Sequence, residues 1–173
     1  EISLGLVGSE MCIRDRIKRL AVDHLHIVGD IFDRGPCADR IMDLLTTYHS
    51  IDIEWGNHDI LWMGAAAGSR ACIATVIRNN LKYDNMKIME NSYGISLRNL
   101  TLFAEKIYPQ IDPMEAALKA ISVLLFKLEG QVILRNPDYK MEDKLLLHKV
   151  DVKRQVVEIG GKNIRSRRKN FQL

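Results

Sequence analysis

Residues 23–59 read DHLHIVGDIFDRGPCADRIMDLLTTYHSIDIEWGNHD, and the rest of the chain is organised around them. Two short stretches dense in metal-binding side chains, Gly29-Asp30-Ile31-Phe32-Asp33-Arg34-Gly35 and Gly56-Asn57-His58-Asp59, each follow an apolar run. The first run, residues 25–28, ends at a glycine and predicts a buried parallel strand. The second, residues 51–55, alternates Ile51 and Ile53 with Asp52 and Glu54. Between them Ile41, Leu44, Leu45 and Tyr48 recur at three and four residues, which predicts a helix from Ala38 with one core-facing stripe. Strand, loop, helix, strand, loop is the order of a βαβ unit, and the 27 positions from Asp30 to Asn57 suit one. Such a unit brings both loops to the same sheet edge, where open α/β sheets bind ligands. The expected fold class is therefore α/β.

The loops carry what phosphate ester hydrolysis requires. That reaction is among the slowest known without a catalyst, so it needs charge neutralisation and a strong nucleophile together. Two divalent cations about 3.5–4 Å apart supply both. A carboxylate can bridge two cations and an amide oxygen can ligate one, and Asp30 and Asn57 fit those roles. Arg34 offers a planar, two-pronged donor for a phosphate. His58 is placed to protonate the leaving alkoxide if a carboxylate orients it, and Asp33 is the candidate. Taken singly, an Asp after a strand is most often a turn or a cap, and an Asn-His pair is ordinary loop polarity. Two such loops at βαβ spacing make that bland reading a poor one.

Other residues give weaker signals. His24 and His26 alternate along the first strand, so at least one should face packing or the opposite side, and both read as structural. His49 lies where it could cap the helix C-terminus. His148, beside Leu145-Leu146-Leu147, reads as packed or exposed. Trp55 and Trp62 flank the second loop and are expected to wall the site, while nothing marks Cys37 as a nucleophile.

With 173 residues and 47% hydrophobic composition, the chain is long enough for one domain with a real core. Its longest apolar run, residues 123–126, is far too short to span a bilayer. Cys12, Cys37 and Cys72 form no paired spacing, which points to a reduced, cytoplasmic compartment. The net charge of +3 is concentrated late, at Lys162, Arg165, Arg167, Arg168 and Lys169. Such a run reads as a solvated tail rather than a nucleic-acid surface, because no aromatics are interleaved with it. The first residue is Glu1, so upstream sequence is expected. Residues 2–16, ISLGLVGSEMCIRDR, resemble translated sequencing-adapter read-through and are set aside from the fold reading.

After Asp59 the pattern turns helical. Helices are expected over residues 61–67, 71–81 and 97–107, with a turn-rich span at 83–94. Asp112-Pro113 opens the longest helix, whose stripe is Met114, Ala117, Leu118, Ile121, Leu124, Leu125 and Leu128. Residues 156–164, around Gly160-Gly161, predict a β-hairpin. The organisation expected is a core at residues 17–68, a helical insertion at 69–140, and a hairpin with a basic tail at 141–173.

The two loops resemble the second and third motifs of the calcineurin-like metallophosphoesterases. The flanking text, notably VDHLHIVGDIFDRGP, YHSIDIEWGNHDILWMGAAAG, ACIATVIRNNLKYDN, YGISLRNLTLFAEKIYP and LFKLEGQVILRNP, resembles the class III fructose-1,6-bisphosphatases over residues 17–164. Asp59, where protein phosphatases carry Glu, points the same way. The resemblance implies a fragment of a β-sandwich with flanking helices and a helical insertion. It also implies roles: Asp30 bridging two metals, Asn57 ligating one while touching phosphate, Asp33 pairing with the general acid His58, and Arg34 gripping phosphate. Manganese is the implied metal, and the implied reaction is removal of the 1-phosphate of fructose 1,6-bisphosphate in gluconeogenesis. An oligomer of the intact enzyme is compatible with this reading. The superfamily's first motif, an Asp-x-His on an earlier strand, is missing, and no later histidines complete the metal shell. The expectation is thus an internal fragment carrying half a site. Rival readings are a protein or nucleotide phosphoesterase of the same superfamily, and a non-catalytic binding fragment.

Overall fold

The computed structural model describes residues 13–159 and 161–165, and the chain divides into two compact units at Ile60/Leu61. Residues 1–12 and 166–173 lie outside the described part, as does most of the segment set aside above. Residues 13–21 are helical (α1), so described helix runs without a break through position 16.

The first unit is the expected βαβ motif. Strands β1 (Leu25–Ile27) and β2 (Ile51–Ile53) pair in parallel, with Leu25 opposite Ile51, His26 opposite Asp52 and Ile27 opposite Ile53. Helix α2 (Ala38–Thr46) is the crossover. Two expectations need correction here. The first strand is not buried: Leu25 and Ile27 are half-covered, His26 is exposed, and Val28 is 78% exposed. Nor does the whole α2 stripe face a core, because Ala38 and Leu45 are buried while Ile41 and Leu44 are exposed. A two-stranded sheet gives each strand one neighbour and offers too little area to cover a full helical stripe.

The second unit is built on helices. Helix α3 (Asn57–Ala66) leads into α4 (Arg70–Lys82), α5 (Arg98–Ile107) and the 23-residue α6 (Pro113–Arg135). Ser69 caps α4 by accepting from Cys72 N, and Asp112 caps α6 by accepting from Met114 N and Glu115 N, with Pro113 in the first turn. Helix α6 packs against both α4 and α5. Ala104, Ala116, Ala117 and Ala120 let these backbones approach closely, and Val76, Leu81, Tyr108, Ile121 and Leu125 fill the space between them. Of the predicted α6 stripe, Met114 and Leu124 are exposed instead. The span expected to be turn-rich contains a π-helical turn, Ile88–Ser92, whose Met89 is 1% exposed. Strands β3 (Val150–Asp151), β4 (Val156–Ile159) and β5 (Lys162–Arg165) form an antiparallel sheet. Lys162 and Arg165 thus belong to a strand rather than to a tail. The described strands form two separate small sheets, which fits α/β, and the larger sandwich is not seen as such. No described helix is long and apolar enough to cross a membrane.

Candidate functional site

Two glycines allow the site to form. The chain leaves β1 through Gly29 (φ 88°) and Asp30 (φ 55°), consecutive residues in the left-handed region. Asp tolerates that conformation better than most side chains. A Cβ on Gly29 would stand 2.3 Å from Gly56 N, and one on Gly56 would stand 2.0 Å from Asp30 Oδ1. The two loops therefore meet backbone to backbone, as the βαβ argument requires.

Their contact is polar and reciprocal. The second loop is not a loop throughout, because Asn57, His58 and Asp59 form the first turn of α3. Gly56 stands at the N-cap, its carbonyl accepting from Ile60 N at 3.1 Å. Having no side chain, it cannot satisfy the free N–H groups of the first turn. Asp30 does so from the other loop: its Oδ1 accepts from His58 N at 3.1 Å. In the reverse direction Asp59 accepts from Gly56 N at 3.0 Å, as the third helical residue does in a capping box. The same carboxylate accepts from Asp30 N at 2.6 Å and Phe32 N at 3.1 Å. Asp59 is 6% exposed, so three backbone donors stand in for the water it has lost.

The groups with chemical potential sit on this scaffold. Nε2 of His58 lies 3.0 Å from Oδ1 of Asp33. Asp33 is in turn held by a hydrogen bond from its backbone N–H to Asp30 O at 3.4 Å. Arg34 Nε is 3.6 Å from that same Asp33 oxygen, with its side chain two-thirds exposed. Asn57 is exposed at the first position of α3, and Asp30 is exposed as well. The structure thus brings Asp30, Asp33, Arg34, Asn57 and His58 together. Sequence reasoning missed Asp59 as their common anchor. The signal that could have found it is an acidic residue three positions after a glycine at a helix start.

The remaining candidates lie elsewhere. His24 and His26 share one face of the sheet, since residues two apart on a strand point the same way. Both donate to Asp52, His24 Nε2 at 2.6 Å and His26 Nδ1 at 2.8 Å, and His24 Nδ1 is 2.8 Å from Ser50 Oγ. Hydrogen bonds from His26 first and His24 second hold the Asp52 carboxyl below the usual carboxylate range. These histidines do serve structure, though not by facing opposite ways. His49 stacks on Tyr48 at 4.8 Å. Trp62 packs with Tyr93 and the helical core, and Trp55 is 65% exposed. His148 lines a shallow groove with Phe126, Gly130 and Leu145.

Asp30 and Asn57 present hard oxygen donors suited to a hard divalent cation. No group of three or more His, Cys, Asp or Glu side chains placed to hold a metal occurs among the described residues. These donors fit one edge of a metal centre, not a whole shell.

The family model described as Firmicute fructose-1,6-bisphosphatase matches residues 9–173. The class 3 fructose-1,6-bisphosphatase of Listeria innocua is 48% identical over 167 residues, covering 85% of this chain and 26% of that protein. A Clostridium beijerinckii class 3 enzyme is 49% identical over 84% of this chain and 25% of its own length, and one from Ligilactobacillus salivarius is 46% identical over 84% and 26%. The chain spans about a quarter of the length of the curated relatives it matches. No solved structure matches it. With every described residue inside that family match, the chain belongs to the Firmicute fructose-1,6-bisphosphatase family.

Proposed function

We propose that this chain contributes the phosphate-facing half of a fructose-1,6-bisphosphatase centre, which removes the 1-phosphate of fructose 1,6-bisphosphate to give fructose 6-phosphate in cytoplasmic gluconeogenesis. The observation that carries the reading is the His58–Asp33 pair at 3.0 Å beside exposed Asp30 and Asn57, in a chain of this family. In this reading β1 and β2 are part of a larger β-sandwich, and further ligands come from the three quarters of the relatives' length that this chain does not span.

Asp30 and the Asn57 amide oxygen would hold a divalent metal, manganese in our reading. Such an ion supplies positive charge to the phosphoryl oxygens and makes a water nucleophilic at neutral pH. The chain's own residues do the rest. The Asn57 amide N–H and the Arg34 guanidinium bind phosphate oxygens. Asp33 engages His58 Nε2 and fixes the ring, so Nδ1 is the nitrogen left to deliver a proton to the leaving alkoxide.

The test places this chain in the Listeria innocua relative in exchange for its matching segment. With manganese, the chimera should release phosphate from fructose 1,6-bisphosphate and leave a phosphopeptide intact. The opposite preference would move the reading to a protein phosphatase. The 173-residue chain alone should release none, because Asp30 and Asn57 supply too few ligands to hold the ions. Tight binding of two manganese ions with steady turnover by that chain would overturn the half-site account.

A further inference from the structure

Asp59 belongs to neither the metal donors nor the acid pair, yet it is the most deeply buried charged group described. Its two oxygens take three N–H donors from both sides of the site: Oδ2 from Asp30 N and Gly56 N, Oδ1 from Phe32 N. One of these donors is the backbone of the residue whose carboxylate is to be aimed. Asp30 has a positive φ of 55°, a conformation that Asp tolerates better than most residues but that is fixed in one place only when its surroundings hold it there. The N–H that Asp59 grips lies directly on that torsion.

From this arrangement we infer that Asp59 is the positioning residue of the centre, holding Asp30 in its left-handed conformation so that the Asp30 carboxylate stays beside the first turn of α3. The inference deepens the proposed function in one respect only: the consequence for a metal rests on that reading, whereas the positioning itself does not. Asp59 touches neither substrate nor metal, and it acts through Asp30.

The chemistry specifies how the tie should fail. Asp59→Asn keeps one oxygen, which can serve the Asp30 and Gly56 donors together, but it turns an NH2 group toward the Phe32 N–H. That leaves two donors facing each other in a covered place, so the Phe32 N–H loses its acceptor. Asp59→Glu keeps the charge and both acceptor oxygens, and Glu is a favoured residue at this position of a capping box.

The experiment is residue-resolved amide hydrogen exchange on the 173-residue chain and the two variants. In Asp59→Asn the Phe32 amide should exchange at least tenfold faster. The His58 amide should follow, although Asp59 does not touch it, because its acceptor is the Asp30 carboxylate. Amides of Ala120 and Ile121 in α6 should not change, and Asp59→Glu should restore most of the protection at Phe32 and His58. Uniform acceleration that includes α6 would reduce Asp59 to a general stabiliser, and an unchanged His58 amide would overturn the positioning role. Manganese titration by water proton relaxation, on the chimera with the Listeria innocua relative, gives a separate readout. Weaker manganese binding in the Asp59→Asn chimera than in the parent chimera supports the role, and equal binding counts against it. A chimera that binds no manganese, while the chain shows the exchange pattern, overturns the metal reading and leaves the positioning role standing.

Discussion

The two units of the chain are held together by different means. From Leu61 onward, buried hydrophobic side chains on α4, α5 and α6 form one continuous cluster. Up to Ile60, Ala38 and Leu45 are the buried hydrophobic residues among those described, and the ties that matter are polar: Asp59 to three backbone donors, Asp30 to His58 N, and Asp52 to two histidines. Apolar packing is non-directional and tolerates substitution of similar volume. A carboxylate that satisfies donors on two loops fixes positions to tenths of an ångström, which is what a site needs. The difference shows that the helical unit stabilises itself, while the unit bearing the chemistry places its parts with little core beneath them.

The largest expected effect tests that contrast directly. Leu125→Ala, in the α6 core, should cost about 2–5 kcal/mol of stability in the helical unit. Leu45→Ala should cost less, about 1–2 kcal/mol, because fewer apolar neighbours surround it. Urea unfolding followed by exchange protection in each unit would measure both, and equal costs would mean that the first unit has a core of its own.

A smaller effect separates the roles of two neighbours in the site. In the chimera, Asp30→Asn should weaken manganese binding at least tenfold, since it removes a ligand charge while keeping an oxygen for the His58 N–H. Arg34→Ala should leave manganese binding unchanged and weaken phosphate inhibition about tenfold, equivalent to about 1.4 kcal/mol. Calorimetry with each ligand reads the split, and equal loss of metal in both variants would show the assignments to be wrong.

The smallest effect is a pair of opposite pH dependences. The carboxyl of Asp52 is lowered by its histidine partners, so its contribution is present above the ordinary carboxylate value and is lost as pH falls through its lowered value. Burial raises the Glu129 carboxyl against the opposing charge of Arg78. Its contribution is therefore present below the ordinary value and fades as pH rises through the raised one. Melting curves from about pH 3 to about pH 7 should steepen toward acid in the parent chain and flatten there in Asp52→Asn, whereas Glu129→Gln should flatten the neutral side. Both slopes are small because Asp52 is exposed and Glu129 only partly covered.

Much of this was legible in the sequence, and the reasons are local. Period and spacing gave the βαβ order, because Ile51, Ile53, Ile41 and Leu45 occupy positions that only a strand and a helix explain together. The Asp112-Pro113 start of α6 and the turn at Gly161 were legible because capping and positive φ restrict the residue types allowed. The Asp33–His58 pair could be named since both loops had to meet. What could not be read depended on partners far along the chain. The start of α3 at Asn57 was hidden because its cap comes from Asp30, and no local pattern shows that. The role of Asp59 was half visible: Gly-x-x-Asp at a helix start marks its bond to Gly56 N, but nothing local marks its donors at Asp30 and Phe32. The burial of Met89 in a span full of turn residues is a tertiary choice that overrides local preference.

The borrowed cap on α3 has a consequence for the order of events during folding. Starting a helix is the unfavourable step, and extending it is easy. The first turn of α3 lacks a cap of its own and obtains one from a residue 28 positions earlier. Nucleation at this end therefore waits on closure of the intervening chain, whose entropy must be overcome before Asp30 can reach His58. A nascent chain that has not yet joined β1 to β2 has no settled beginning for this helix. When the helix does begin, His58 and Asp33 are already in register, so assembly of the proposed acid pair and the start of α3 are the same event.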